Sequence, residues 1–300
     1  MELALHPQFW ILFSLLSAFF HASRLAVTKQ LSFTLSAQAL TMYVNLAALV
    51  VTLPLVFWHH HMPFDDPVYA GAVLAGGVLS GLGGWSLNTA IKRSEVSLVG
   101  PIMTLTPGFV VVVEWLVTGD IPGPLGLVGL ALLVAGGYVL SIDRTETQWY
   151  RPLLRMVTDP GSGYTLVASF CFAAASTFGR VGIQLSDPLS FAVVVAVVNP
   201  IVLFVMFSLH DHRFYREVLP PDLARQTKPL LLLGLLFALM RIADQIALSL
   251  TLASYAMGVK RTAGMFSVLL GRWYFNEGRT AAKLAGSGIM LLGLFVLLQL

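Results

Sequence analysis

Apolar runs of about 20 residues, the length at which one helix spans a bilayer's hydrocarbon core, recur along the whole chain. Ten can be read: 9–30, 37–58, 69–91, 96–117, 125–142, 164–185, 188–209, 230–252, 254–275 and 281–300. Most connections between them are only a few residues, which makes consecutive helices antiparallel neighbours. The two longest, 143–163 and 210–229, carry Pro, Arg, Asp and Tyr and read as interfacial loops. The pattern predicts an all-α integral membrane protein with a five-helix unit at 1–142, a linker at 143–163 and a second five-helix unit at 164–300. The opening MELALHPQFW lacks the basic flank of a signal peptide, so the first run is expected to be a retained helix.

The two units repeat one another. Gln30-Leu31-Ser32 recurs as Gln184-Leu185-Ser186 at an offset of 154, which also carries Asn45 onto Asn199. An offset of 157 maps Gly119-Asp120 onto Asn276-Glu277, Gly129 onto Gly286, Gly136 onto Gly293 and Asn88 onto Gln245. Five is odd, so the second unit enters the membrane from the opposite face. Such inverted-topology repeats place a site near the midplane between the halves.

Polar positions inside the spans predict a cavity. Ser17, His21, Arg24 and Thr28 make one stripe in the first helix, and Ser169, Ser176, Arg180 and Gln184 another in the sixth. Gly77, Gly81, Gly84 and Asn88 share a face in the third. Small residues also serve helix–helix packing, within one chain or between two, which leaves a homodimer open. Arg24 and Arg180 lie near helix ends and could instead snorkel to the interface. The eighth helix holds Arg241, Asp244 and Gln245; Asp244 can neutralise Arg241, pair with Lys260 or Arg261, or carry a proton. Glu114, beside Trp115, is expected at the interface.

The densest chemistry is in the ninth run, where Lys260 and Arg261 are adjacent. A charge within a membrane helix costs about 2.5–3.5 kcal/mol on insertion scales and marks a cavity or a partner. On a continuous helix Lys260 shares a small, polar face with Gly264, Ser267 and Gly271.

Composition narrows the classes. Only 11% of residues are charged against 57% hydrophobic, with mean hydropathy +0.80, where a soluble domain carries about 25% charged residues. The net charge of +3 comes with cations in short loops, which reads as orientation signals and not as nucleic-acid binding. Cys171, the single cysteine, excludes an intrachain disulfide. His59–His61 and His210-Asp211-His212 fall on opposite membrane faces, so no metal site can use both. No P-loop, HExxH, GxSxG or dinucleotide turn occurs, and no cofactor or enzymatic activity is expected.

Ten helices in two repeats, each with a short acidic turn before a Gly-rich last helix, resemble the drug/metabolite transporter superfamily, EamA-type branch. The likeness is carried by SLVGPIMTLTPGFVVVVEWLVTGDIPGPLGLVGLALLVAGGYVL in the first half and by 255–297 in the second, with Pro101, Pro107, Gly271, Glu277, Gly286 and Gly293 at the positions usual there. The Lys260-Arg261 pair is also similar to the phosphate-binding pair of triose-phosphate translocators, although AMGVKRTAG does not reproduce the nucleotide-sugar signature. The resemblance implies a multi-pass protein of the inner or plasma membrane that moves a small molecule. Lys92, Arg93, Arg144, Arg151, Arg155, Arg213, Arg216, Arg225, Lys228, Arg279 and Lys283 all follow odd-numbered helices or sit at their edges. The positive-inside rule then places both termini outside, whereas the resemblance implies termini inside.

The function expected is secondary transport of a small polar metabolite, anionic or zwitterionic, by alternating access. Its site is expected from the first, third, sixth, eighth and ninth helices. The substrate-binding residues expected are Lys260, Arg261, Asn88, Gln245, Asn45, Asn199, His21, Arg24 and Arg180, with Asp244 and Arg241 for charge balance or coupling. Two alternatives stay open: an exporter of apolar or cationic compounds relying on Asp244 or Glu114, and a non-transporting sensor or assembly component.

Overall fold

A computed structural model describes residues 9–57, 62–93, 99, 102–140, 159–210, 223–275 and 281–299. Regular structure among them is helical: α1 (Phe9–Leu31), α2 (Ala37–Thr52, extended by the 3-10 turn Leu53–Phe57), α3 (Pro67–Arg93), α4 (Thr106–Thr118), α5 (Pro124–Leu140) and α6 (Pro160–Leu185). The second half continues with α7 (Pro188–His210), α8 (Leu223–Leu250), α9 (Ala253–Lys260), α10 (Ala263–Phe275) and α11 (Ala281–Leu297). Helices long and apolar enough to cross a membrane are α1, 37–55 with α2, α3, α6, 188–209 of α7 and 226–250 of α8; α4, α5 and 283–297 are shorter apolar helices. The protein is a membrane-embedded, multi-pass helical bundle.

Local sequence sets the helix ends. Ser36 caps α2, its hydroxyl accepting from Ala39 N at 3.2 Å. Asp66 accepts from Val68 N at 2.7 Å at the start of α3, and Asp187 from Ser190 N at 2.9 Å at the start of α7. Each carboxylate satisfies amides that the first helical turn leaves free. Gly119, at φ 76°, ends α4 in the left-handed conformation that glycine adopts without steric cost.

Three sequence expectations are corrected. The sixth span starts at Pro160 and not at 164, because Asp159 accepts from Gly161 N at 2.9 Å and from Ser162 N at 3.1 Å, and Pro160 suits the first turn. The eighth starts at Leu223, taking in residues read as loop. The ninth is not one helix: α9 ends at Lys260, and a turn at Arg261–Thr262 separates it from α10. Lys260 therefore shares no continuous helical face with Gly264 and Ser267. The fourth span is interrupted too, by a turn at Thr104–Leu105. That turn lies 157 residues before the other, the offset of the sequence repeat. His59–His61, Asp211, His212, Asn276, Glu277, Arg279, most of the linker and most loop cations lie outside the described residues.

Packing follows the repeat. α3 lies against α6 as α8 does against α1; α2 meets α8 as α7 meets α3; α4 meets α6 as α9 and α10 meet α1. The repeat-matched Asn45 and Asn199 meet directly, Asn199 Nδ2 donating to Asn45 Oδ1 at 3.4 Å. α5 and α11 approach backbone to backbone, since a Cβ on Gly286 would lie 2.8 Å from Gly136 O and one on Gly293 would lie 2.9 Å from Gly129 O. Gly129 and Gly136 each touch the counterpart of the other. The small face of α3 is used within the chain, where a Cβ on Gly77 would meet Val198 at 3.2 Å and one on Gly81 would meet Leu203 at 3.1 Å.

Candidate functional site

A partly open cavity of about 140 Å³ lies at the meeting of the bundle's halves. Eight of the nine residues expected to bind substrate line it: His21, Arg24, Asn45, Asn88, Asn199, Gln245, Lys260 and Arg261; so do Asp244 and Arg241. α2 and α7 join the expected helices, supplying Thr41, Phe191 and Asn199. Met103, from the interrupted fourth span, lies opposite the interrupted ninth: Arg261 Nη1 donates to its carbonyl at 3.1 Å.

Four cations face this cavity, Arg24, Arg241, Lys260 and Arg261, against one carboxylate, Asp244. Asp244 is taken by Lys260, to which it is ion-paired, and by the Ser17 hydroxyl, which donates to it at 2.5 Å. Of the pairings open to Asp244 in the sequence, the one with Lys260 is formed. Arg241, three residues away, lies instead over the Phe237 ring at 5.5 Å, and Arg24 lies over the same ring at 4.9 Å. Arg24, Arg241 and Arg261 are each less than 10% exposed, and none has an ion-pair partner among the described residues. Nε of Arg24, Nε of Arg261, Nδ1 of His21 and Oε1 of Gln245 are buried without a hydrogen-bond partner. Arg24 does not snorkel; it is buried mid-bundle by the packing of α1 on α8.

The amides are better satisfied. Asn88 Nδ2 donates to Thr41 Oγ1 at 2.7 Å, Asn45 Nδ2 to Thr41 O at 2.9 Å and Asn199 Nδ2 to Ser80 Oγ at 3.0 Å. These bonds cross-link α2, α3 and α7 into one wall. Thr41 and Ser80 were not singled out from sequence, and one hydroxyl among many carries no signal of its own.

Arg180 is the exception among the nine. It does not line the cavity. Its Nη1 donates to Asp120 Oδ2 at 2.6 Å and lies 3.5 Å from Glu114 Oε1, while its Nε donates to Thr251 O at 3.1 Å. Glu114, expected at the interface, is fully buried within the bundle, and its two oxygens accept from Ala253 N at 2.8 Å and Ser254 N at 3.1 Å. It caps α9, the helix whose other end carries Lys260. Asp120, in the loop after α4, has its carboxyl held below the ordinary 3.8 mainly by the hydrogen bond from Arg180.

A sequence model of the EamA-like transporter family matches residues 8–142 and again residues 159–299. A solved crystal structure 16% identical to this chain superposes on it with a TM-score of 0.70, covering 96% of each chain; likeness at that identity shows the fold alone. No curated protein sequence matches.

Proposed function

Because the chain belongs to the EamA-like transporter family, we propose that it is a secondary active transporter of a small anionic metabolite working by alternating access in the cell membrane. The observation that carries this reading is the cavity lined by four buried cations and one carboxylate. A cationic cargo would meet net repulsion there, which counts against the drug-cation alternative. Its other acid, Glu114, is already engaged by two amides and Arg180.

We read the bundle as ten spans in two inverted repeats. The paired interhelical contacts, the meeting of Asn45 with Asn199, the crossed glycines of α5 and α11 and the two matched turns all support this reading. The halves would rock about the cavity, exposing it to one face and then the other. Lys260 and Arg261 sit where the ninth span breaks and would engage the anion. Asp244 would hold Lys260 while the site is empty and release it to the substrate.

The test is uptake of a labelled anion into sealed proteoliposomes. The parent protein should accumulate it, and Lys260→Ala, reconstituted to the same level, should lose about tenfold or more of the rate. Wild-type flux in that variant would remove Lys260 from the site. Binding without flux in the parent would favour a sensor.

A further inference from the structure

The cations in the cavity outnumber what a singly charged ligand can satisfy. Lys260 has Asp244 as its ion-pair partner, but Arg24, Arg241 and Arg261, which share that one carboxylate's neighbourhood, form no ion pair among the described residues. Arg24 and Arg241 share the Phe237 ring, so two guanidiniums are gathered on the α1–α8 wall. Arg261 is on the α9–α10 turn, tied to Met103 O by one nitrogen with its Nε unpartnered. Burying an unpaired cation is costly, and the cost falls only when an anion of matching charge enters. A carboxylate of charge −1 leaves two of these three unmatched. A zwitterion brings an ammonium among them and balances none overall.

We propose that the ligand carries at least two negative charges at neutral pH, as a phosphate monoester or a dicarboxylate. Guanidinium forks match both groups, because each presents two oxygens in one plane to paired N–H donors. The cavity of about 140 Å³ is comparable with the roughly 150 Å³ that holds one benzene-sized molecule. A four-carbon diacid or a short phosphate ester matches that size. This inference rests on the anion-transport reading and narrows it from any anion to a doubly charged one.

The test is equilibrium binding to the purified full-length protein at fixed ionic strength, with acetate, succinate and methyl phosphate as probes. Succinate or methyl phosphate should bind about tenfold or more tightly than acetate, and the tighter of the two identifies the group. Arg241→Gln should shrink that preference to about threefold or less, and Arg241→Lys, which keeps the charge, should restore most of it. Equal affinity for acetate and both doubly charged probes overturns the proposal, as does a preference unchanged in both Arg24→Gln and Arg241→Gln. The readout needs no flux. Dianion binding without transport would sink the transport reading alone, and transport of acetate with no preference for charge would sink this one alone.

Discussion

The protein buries two charge clusters, and they are built on opposite plans. Around the cavity, cations exceed acids, and three guanidiniums form no ion pair among the described residues. Where α4, α6 and α8 end, one cation, Arg180, meets two carboxylates and a carbonyl, and its neighbour Glu114 is filled further by two helix amides. Arg24 and Arg180 look alike in the sequence, each lying in a polar stripe on the first helix of its half. Their surroundings separate them. An arginine whose hydrogen bonds are spent on fixed partners holds helices together, whereas one without an ion pair is, on the proposed reading, left for the ligand.

This contrast predicts stability effects of opposite sign. The largest belongs to Glu114→Gln, which weakens the cap of α9 and leaves Arg180 paired with Asp120 alone. A hydrogen bond to a buried charged group is worth about 1.5–3 kcal/mol, and thermal unfolding of the detergent-solubilised protein should show its loss. A midpoint unchanged from the parent would mean that Arg180 does not depend on Glu114.

Arg24→Met goes the other way. It keeps an unbranched side chain against Phe237 and removes a buried, unpaired charge, so the empty protein should gain about 1–2 kcal/mol. Stabilisation by added succinate or methyl phosphate should fall sharply in the same variant. A loss of stability would show that Arg24 is already satisfied.

The smallest effect is expected at Asp120, whose side chain is 42% exposed. Solvent screens its bond to Arg180, so Asp120→Asn should cost under about 1 kcal/mol at neutral pH. Its carboxyl is held below 3.8 in the folded protein. The pair's contribution is therefore complete above that value and is lost as pH falls through the lower, folded one. Asp120→Asn should remove this part of the acid sensitivity, measured as the change in unfolding midpoint below about pH 4.

Much of this was legible in the chain. Apolar run length located the spans, and the repeat offsets pointed to Asn45, Asn199 and the four glycines, which turn out to meet one another. Periodicity, the repeat and the depth of charged residues in the runs identified the charged and amide members of the cavity lining. Three features were not legible, each for a local or long-range reason. Glu114 was read with its exposed neighbour Trp115, yet adjacent helical residues point about 100° apart, so one can face lipid while the other faces the core. Arg180's acids lie 60 and 66 positions away, and only the fold brings them to it. The turn at Arg261–Thr262 contains neither glycine nor proline, and an unbroken apolar run conceals it.

The capping of α9 by Glu114 also bears on how the protein is made. A ribosome delivers the first half with Glu114 already in place, but the amides of Ala253 and Ser254 that it accepts from come some 140 residues later. Until they arrive, the nascent bundle holds an acid built for burial with only Arg180, 66 residues on, to receive it. The last helices thus complete the first half as much as they form the second. A chain stalled between the two would present quality-control machinery with a hydrophobic bundle still carrying its most deeply buried charge unmatched.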